Sequence, residues 1–374
     1  MSALRESVRR HRHELWVDNL RVVLIAGVIV VHTATAYVVD IPWYYDDERA
    51  ASGLWAMVIG LPTLLAGAFG LGPLFLVAGV FSARSVARRG PVGFALSRLV
   101  RLGVPLLVFV LLIQPMTDWI GNRRSERGSF LHYLGITEVS VMWFVAALLV
   151  FSLGYAGLRH LRPARPSRRQ IHPLRLLTAA ATTIAVTSLA VWQVWPWNAE
   201  VVLNLRVGEW PQAAVLFALG VYAGETRWPD ALTRVTLRRL GWVAAAAAAT
   251  LSGLLVVEVL TRGDVDVLLE ARVPLDSALL AVLDGVLAVA WTVWCAAWFH
   301  RRWNRHGPLM GKAGRASYAT YVLHPLVLTT LMVLFAVVTL APAVKFLTLS
   351  ILAVPTCFLV GYVLTRMPGV SRIL

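Results

Sequence analysis

Cysteine, acidic residues and the common nucleotide or metal motifs are all scarce or missing in this chain. Of 374 residues only two are cysteines. Cys295 and Cys357 both sit in apolar blocks with no partner spacing, which excludes a disulfide framework and a cysteine-built metal site. No G-x-x-x-x-G-K-[ST] loop occurs, nor a G-x-G-x-x-G after a strand, a G-x-S-x-G elbow or an H-E-x-x-H pair. ATP-driven transport, nicotinamide chemistry, serine hydrolysis and zinc proteolysis therefore lack their usual marks. No repeat of fixed period is visible, and the run Ala244 to Ala249 is helix-favouring membrane sequence, not a low-complexity tail. Acid is outnumbered by base, 20 to 35.

What is abundant is apolar sequence. At 58% hydrophobic content and a mean hydropathy of +0.69, the chain reads as an all-α integral membrane protein in contact with the lipid bilayer. Apolar blocks set against polar breaks give a bundle of about ten transmembrane helices. They start near Trp16, Leu54, Leu102, Val139, Leu174, Gln212, Leu240, Ala278, Ala316 and Ala343. Residues 1–15 are a basic N-terminal segment, 16–366 the membrane domain and 367–374 a C-terminal tail. The N-terminal segment resembles a signal peptide in charge, but its apolar core is too long and it is read as retained.

The net charge of +15 does not imply nucleic acid, because no soluble basic domain is left to bind it. The arginines gather in alternate connectors: before the first span, between the second and third, and after the fourth, sixth, eighth and tenth. Under the positive-inside rule this places both termini in the cytoplasm. The opposite connectors are poor in base, except the second, which carries several arginines, and Trp43, Trp119, Trp143, Trp197 and Trp210 near them are expected at the outer membrane interface.

The first span, Trp16 to Val39, carries Asp18, Arg21 and His32, and an ionisable group inside a span is costly enough that it usually lines a functional cavity. Arg21 and His32 are eleven positions apart, close to three helical turns, so they share a face about 16 Å apart along the axis. Asp18 lies one turn before Arg21 and pairs with it at the helix start. A histidine at His32 can take and return a proton near neutral pH, or bond structurally to a carbonyl of a neighbouring helix. Arg98 and Arg101, one turn apart at the entrance to the third span, suit a phosphorylated ligand or anchor the helix at the interface. In GKAGRASYATYVLHPLV, Ser317, Tyr321 and His324 fall close to one face with Tyr318 beside it. Pro325 loosens the helix there, and such polar residues commonly join helices by hydrogen bonds.

Four stretches together resemble the membrane acyltransferase 3 family, ten-helix proteins that O-acylate glycans and related acceptors. They are DNLRVVLIAGVIVVH, GPLFLVAGVFSARSVARRG with SRLVRLGVPLL, MWFVAALLVFSLGY, and GRASYATYVLHPLVL. The first reads D-N-L-R where a glycine-bearing D-G-L-R is common in the family. The resemblance implies that His32 is the catalytic base with Arg21 as its partner, and that Arg98 and Arg101 hold the coenzyme A portion of the donor. Trp143, Ser317, Tyr318, Tyr321 and His324 match recurring positions, in cavity or structural roles.

The expectation is therefore a multi-pass enzyme of a bacterial inner membrane. It would move an acetyl or succinyl group from cytoplasmic acyl-CoA to a hydroxyl of a glycan, glycolipid or other sugar-containing acceptor at the outer face. Acyl-CoA is a co-substrate; no bound cofactor, metal or nucleic acid is expected. A transporter or flippase with a polar path lined by the first helix is the rival reading.

Overall fold

The computed structural model of the chain describes residues 15–38, 43–45, 54–122, 130–135, 138–162, 171–195, 203–226, 228–262, 274–305 and 307–370. The basic segment before Leu15, most of the first expected outer connector and Trp197 lie outside these residues. Among the described residues the architecture is helical and no strand occurs. The longer helices are α1 (Leu15–Tyr37), α2 (Leu54–Phe69), α3 (Gly72–Arg98), α4 (Gln114–Gly121), α5 (Trp143–Leu161), α6 (Pro173–Trp192), α7 (Trp210–Thr226), α8 (Arg234–Arg262), α9 (Pro274–Arg302), α10 (Pro308–Phe335) and α11 (Pro342–Leu364).

Eight helical stretches are long and apolar enough to cross a membrane. That number counts Leu54–Gly121 once, although its 68 residues would run on the order of 100 Å as one straight helix, far beyond a hydrocarbon core of about 30 Å. The chain is interrupted inside it for readable reasons. α2 and α3 part at Gly70 and Leu71, with a proline in the first turn of α3. Gly90 leaves the helical region at φ 71°, because the proline that follows it disfavours the helical conformation in the residue before. Two π-helical turns follow, Leu99–Gly103 and Phe109–Ile113. The sixth expected span, α7, has 17 residues and falls outside the eight.

The chain divides into two compact units. The first comprises α1, α2, the segment from Val104 to Met142 with α4, and the chain from Trp298 through α10 and α11. Within it α1 packs against α2, α10 and α11, and α10 also meets α4. Asn19 ties the start of α1 to the connector before α10: its Nδ2 donates to the carbonyls of Trp303 at 2.7 Å and Arg305 at 3.0 Å. Two glycines allow close approach in this unit. A Cβ on Gly314 would lie 2.8 Å from the Cβ of Asp18, and one on Gly121 would lie 1.8 Å from the carbonyl oxygen of Tyr44.

The second unit comprises α3, the π turn Leu99–Gly103, α5 to α8 and α9 up to Ala297. Its α3 and α7 touch backbone to backbone: a Cβ on Gly79 would sit 2.1 Å from the Phe217 carbonyl oxygen. Small residues permit this contact, which replaces hydrophobic burial as the packing force where lipid is the solvent. Large apolar side chains such as Trp242, Leu260 and Ile351 stay exposed, as expected of surfaces covered by a bilayer.

Candidate active site

The first unit assembles a polar cluster from four separate stretches of chain. His32, half-buried on the last turns of α1, stacks on Trp43 with ring centroids 4.3 Å apart and planes at 17°. It also stacks on His324 at 5.4 Å and 21°. Both neighbours lie nearly parallel to the imidazole, Trp43 the closer of the two. The Nδ1 of His32 is buried.

The late motif Y-V-L-H-P explains its own geometry. Pro325 has no N–H, so the carbonyl of Tyr321, four residues earlier, loses its helical donor. The Nδ1 of His324 takes that place at 2.6 Å. A carbonyl can only accept, so Nδ1 carries the proton and Nε2 presents a lone pair. His324 is fully buried, and its Nε2 has no hydrogen-bond partner among the described residues.

The cluster closes through the connectors. The Tyr321 hydroxyl donates to the carbonyl of Val141. The neighbouring Ser140, held in the left-handed region at φ 43°, has its Oγ hydrogen-bonded to the Tyr44 hydroxyl at 2.9 Å. Tyr44 donates to Gln114 Oε1 on α4, Gln114 Nε2 donates to Asp118 Oδ2 at 3.2 Å, and the Tyr44 ring packs edge-on against Trp43 at 4.8 Å. Contacts thus run from Tyr44 through Ser140, Val141, Tyr321, His324, His32 and Trp43 back to Tyr44. Burial pushes the Tyr44 hydroxyl well above the usual phenol range, so it serves as a neutral hydrogen-bonding group. Strained backbone such as that of Ser140 persists only where its surroundings hold it, and it is commonest at functional sites.

The other expected residues fall elsewhere. Arg21 is exposed on α1 and forms an ion pair with Asp18 at 3.7 Å; α1 is unbroken from Arg21 to His32, so the two stay about three turns apart. Ser317 spends its hydroxyl on the Gly314 carbonyl of its own helix at 2.8 Å, and Tyr318 is half-buried beside it. In the second unit, Arg98 donates to Ser82 Oγ at 3.3 Å and lies 5.1 Å from the Phe94 ring centre. Arg101 is exposed within the π turn. That turn alters the i, i+3 geometry assumed for the pair, since a π-helix takes more residues per turn than an α-helix. Trp143 opens α5, buried beside Phe75 with ring centres 6.3 Å apart.

The second unit has polar groups of its own that the sequence reading did not single out. Ser188 donates to Asp284 Oδ2 at 2.8 Å. Buried Glu209 accepts from Arg206 at 3.3 Å, and burial raises its carboxyl to about 7 even though Arg206 acts to lower it.

Trp43, expected in the interfacial belt, stacks on His32, a contact that the sequence reading did not foresee. Tyr44, Gln114, Ser140 and Asp118 were not anticipated as a group. Gln114 and Asp118 carried a usable signal: two polar residues four apart in an otherwise apolar block, LVFVLLIQPMTDW. No group of three or more His, Cys, Asp or Glu able to hold a metal occurs among the described residues.

The acyltransferase 3 family model, an acyltransferase domain, matches residues 14–365. No curated protein matches the chain.

Proposed function

Because the chain belongs to the acyltransferase 3 family and is a multi-pass membrane acyltransferase, we propose that it moves an acyl group from acyl-CoA to a hydroxyl of a sugar-containing acceptor. The donor would come from the cytoplasm and the product form at the outer face of a bacterial inner membrane, the direction suggested by the alternating arginine content of the connectors.

The observation that carries the mechanism is the imidazole of His32, stacked with both Trp43 and His324. Its Nε2 takes the proton of the acceptor hydroxyl as that oxygen attacks the thioester carbonyl. The imidazolium so formed has the face of Trp43 against it, and an aromatic face stabilises a cation by about 0.5–2 kcal/mol. The carbon–sulfur bond then breaks and the proton passes to the departing thiolate, leaving no net charge behind. Stacking also fixes the ring in a reactive orientation before substrate arrives. Arg98 and Arg101 bind donor phosphates as charge-assisted donors, and Arg21 guides the donor along α1 or polarises its carbonyl.

The test is transfer of label from radioactive acyl-CoA by protein reconstituted in proteoliposomes. His32→Ala should lower kcat by about 10²–10⁴-fold with the protein still folded. Full activity in that variant would sink the mechanism. Movement of a glycolipid across the bilayer with no acyl transfer would favour the transport reading.

A further inference from the structure

One end of the first unit carries cations that the acyl-transfer reading does not use. Lys312 and Arg315 stand one turn apart near the start of α10, and Arg366 follows the last turn of α11; all three are exposed. A close approach of the two helices brings them together: a Cβ on Gly361 would lie 2.4 Å from Thr320 Oγ1 and 2.8 Å from the Thr320 backbone nitrogen. The next residue, Tyr362, is their meeting point. Arg366 donates from Nη2 to its hydroxyl and has its guanidinium carbon 5.0 Å from the ring centre. Lys312 Nζ lies 6.0 Å from the same centre, and the charge of Arg315 reaches the hydroxyl as well.

Three like charges around one tyrosine repel one another, and none of them forms an ion pair among the described residues. Arg366 alone would be satisfied by the negative end of α11. Lys312 and Arg315 gain nothing of the kind, because they lie toward the positive end of α10. An anion is the missing component, and the adjoining surface says which kind. Leu352, Leu359 and Val363 are exposed on α11, and their helical spacing puts them on one face, which Arg366 continues. That face is apolar along the span and cationic at its end, the profile of a lipid with acyl chains beside a negatively charged headgroup. We propose that Lys312, Arg315, Arg366 and the Tyr362 hydroxyl form a binding site for a phosphate group, and that the phosphate is the headgroup of an anionic phospholipid whose chains lie along α11. Basic pockets between membrane helices take such headgroups, through charge-assisted bonds from ammonium and guanidinium groups. The Tyr362 hydroxyl accepts from Arg366 and keeps its own proton to donate. The site does not rest on the acyl-transfer reading. A bound headgroup ties the end of α11 to α10, the helix that carries His324, and so stabilises the first unit.

The experiment titrates the full chain, purified in a neutral detergent, with phosphatidylglycerol, and reads bound lipid by native mass spectrometry and stability by melting temperature. Phosphatidylcholine is the control with the same phosphate but no net charge; inorganic phosphate and coenzyme A are the controls with phosphate but no lipid chains. The wild type should hold phosphatidylglycerol about 10- to 100-fold more tightly than phosphatidylcholine and melt higher in its presence. Lys312→Gln, Arg315→Gln and Arg366→Gln together should remove that preference. Arg234→Gln, Arg238→Gln and Arg239→Gln together take the same charge from the start of α8 and should leave it intact. Arg366→Lys keeps the cation and should keep most of the preference. If the first triple variant does not fold, the single variants Lys312→Gln and Arg315→Gln carry the test, and each should weaken retention about fivefold. Equal retention of the two lipids by the wild type, equal loss in the two triple variants, or unchanged retention in both single variants would overturn the site and leave a general attraction between basic connectors and the membrane surface. Displacement of phosphatidylglycerol by inorganic phosphate or coenzyme A at equal concentration would overturn the lipid assignment and give the site to a soluble phosphate.

Discussion

The two units handle polar groups inside a membrane protein in opposite ways. In the first, imidazoles, phenols, an indole and a hydroxyl around His32 are joined into a closed circuit by stacking and short bonds, with the Gln114 amide and the Asp118 carboxyl branching from Tyr44. In the second, they form smaller separate groups: Arg98 on Ser82, Asp284 on Ser188, Glu209 on Arg206, and Arg159 with Tyr155 and Glu225. Each of these groups includes an ionisable side chain. Partners make a buried charge tolerable but rarely free of cost, whereas neutral donors and acceptors can be joined into a longer chain at less cost. The comparison teaches where to look for bond making and where for binding.

The strongest way to break that division is through the donor. If the second unit holds phosphates and the first does the chemistry, Arg98→Glu and Arg101→Glu should raise KM for acyl-CoA by about 10- to 100-fold and change kcat little, the reverse of a His32 substitution. Steady-state kinetics with donor and acceptor varied separately would show it. An unchanged donor KM would return both residues to interfacial anchoring.

A second test strikes the frame of the first unit without touching its chemical groups. Gly121→Val places side-chain atoms where the Tyr44 carbonyl already lies, 1.8 Å from the first added carbon. Overpacking of this kind costs about 1–3 kcal/mol. The loss should appear as lowered melting temperature and a fall in kcat, since Tyr44 and Trp43 are displaced together, with donor affinity kept. Full activity would show that the circuit around Tyr44 is dispensable.

A third test sharpens the picture of the second unit. Glu209 titrates at about 7 in the folded chain against an ordinary 4.5, because burial disfavours its charged form. The folded state therefore keeps a proton that the unfolded state has released between those values, and stability should fall as pH rises from about 4.5 to about 7. The contribution is on the order of 1–3 kcal/mol. Glu209→Gln should flatten that slope in a pH series of melting curves; an unaltered slope would assign it to another group.

The smallest effect is expected at Ser317. Its hydroxyl bonds back to the Gly314 carbonyl, an arrangement that contributes little to a helix. Ser317→Ala should change melting and kcat/KM by less than about twofold. A large loss would bring Ser317 into the site.

Much of this was legible from residue type and spacing. An apolar first span with Arg21 and His32 marks a functional helix because lipid penalises charge, and α1 is continuous across both. The breaks around Gly70 and Gly90 follow from glycine and proline in the sequence. Trp43 could not be placed the same way: a tryptophan near a span end suits the interface and a stacking partner equally well, and periodicity does not say which helix end it folds over. The same holds for the long helical run from Leu54 to Gly121, where hydropathy alone marks apolar length but not where the chain turns.

By itself, the sequence determined that the chain is a helical membrane protein, that α1 carries ionisable groups on a continuous helix, and that the Tyr321 carbonyl loses its helical donor to Pro325. Each of these depends on neighbours within a few residues, where covalent geometry and the cost of burying polar groups leave few options. Only the tertiary structure decided that His32 stacks with both Trp43 and His324, and that Tyr44 and Ser140 close the circuit. Those partners are separated by roughly ten to nearly three hundred positions, and what brings them together is the packing of α1, α4 and α10, with close approaches at Gly121 and Gly314 that no local pattern records.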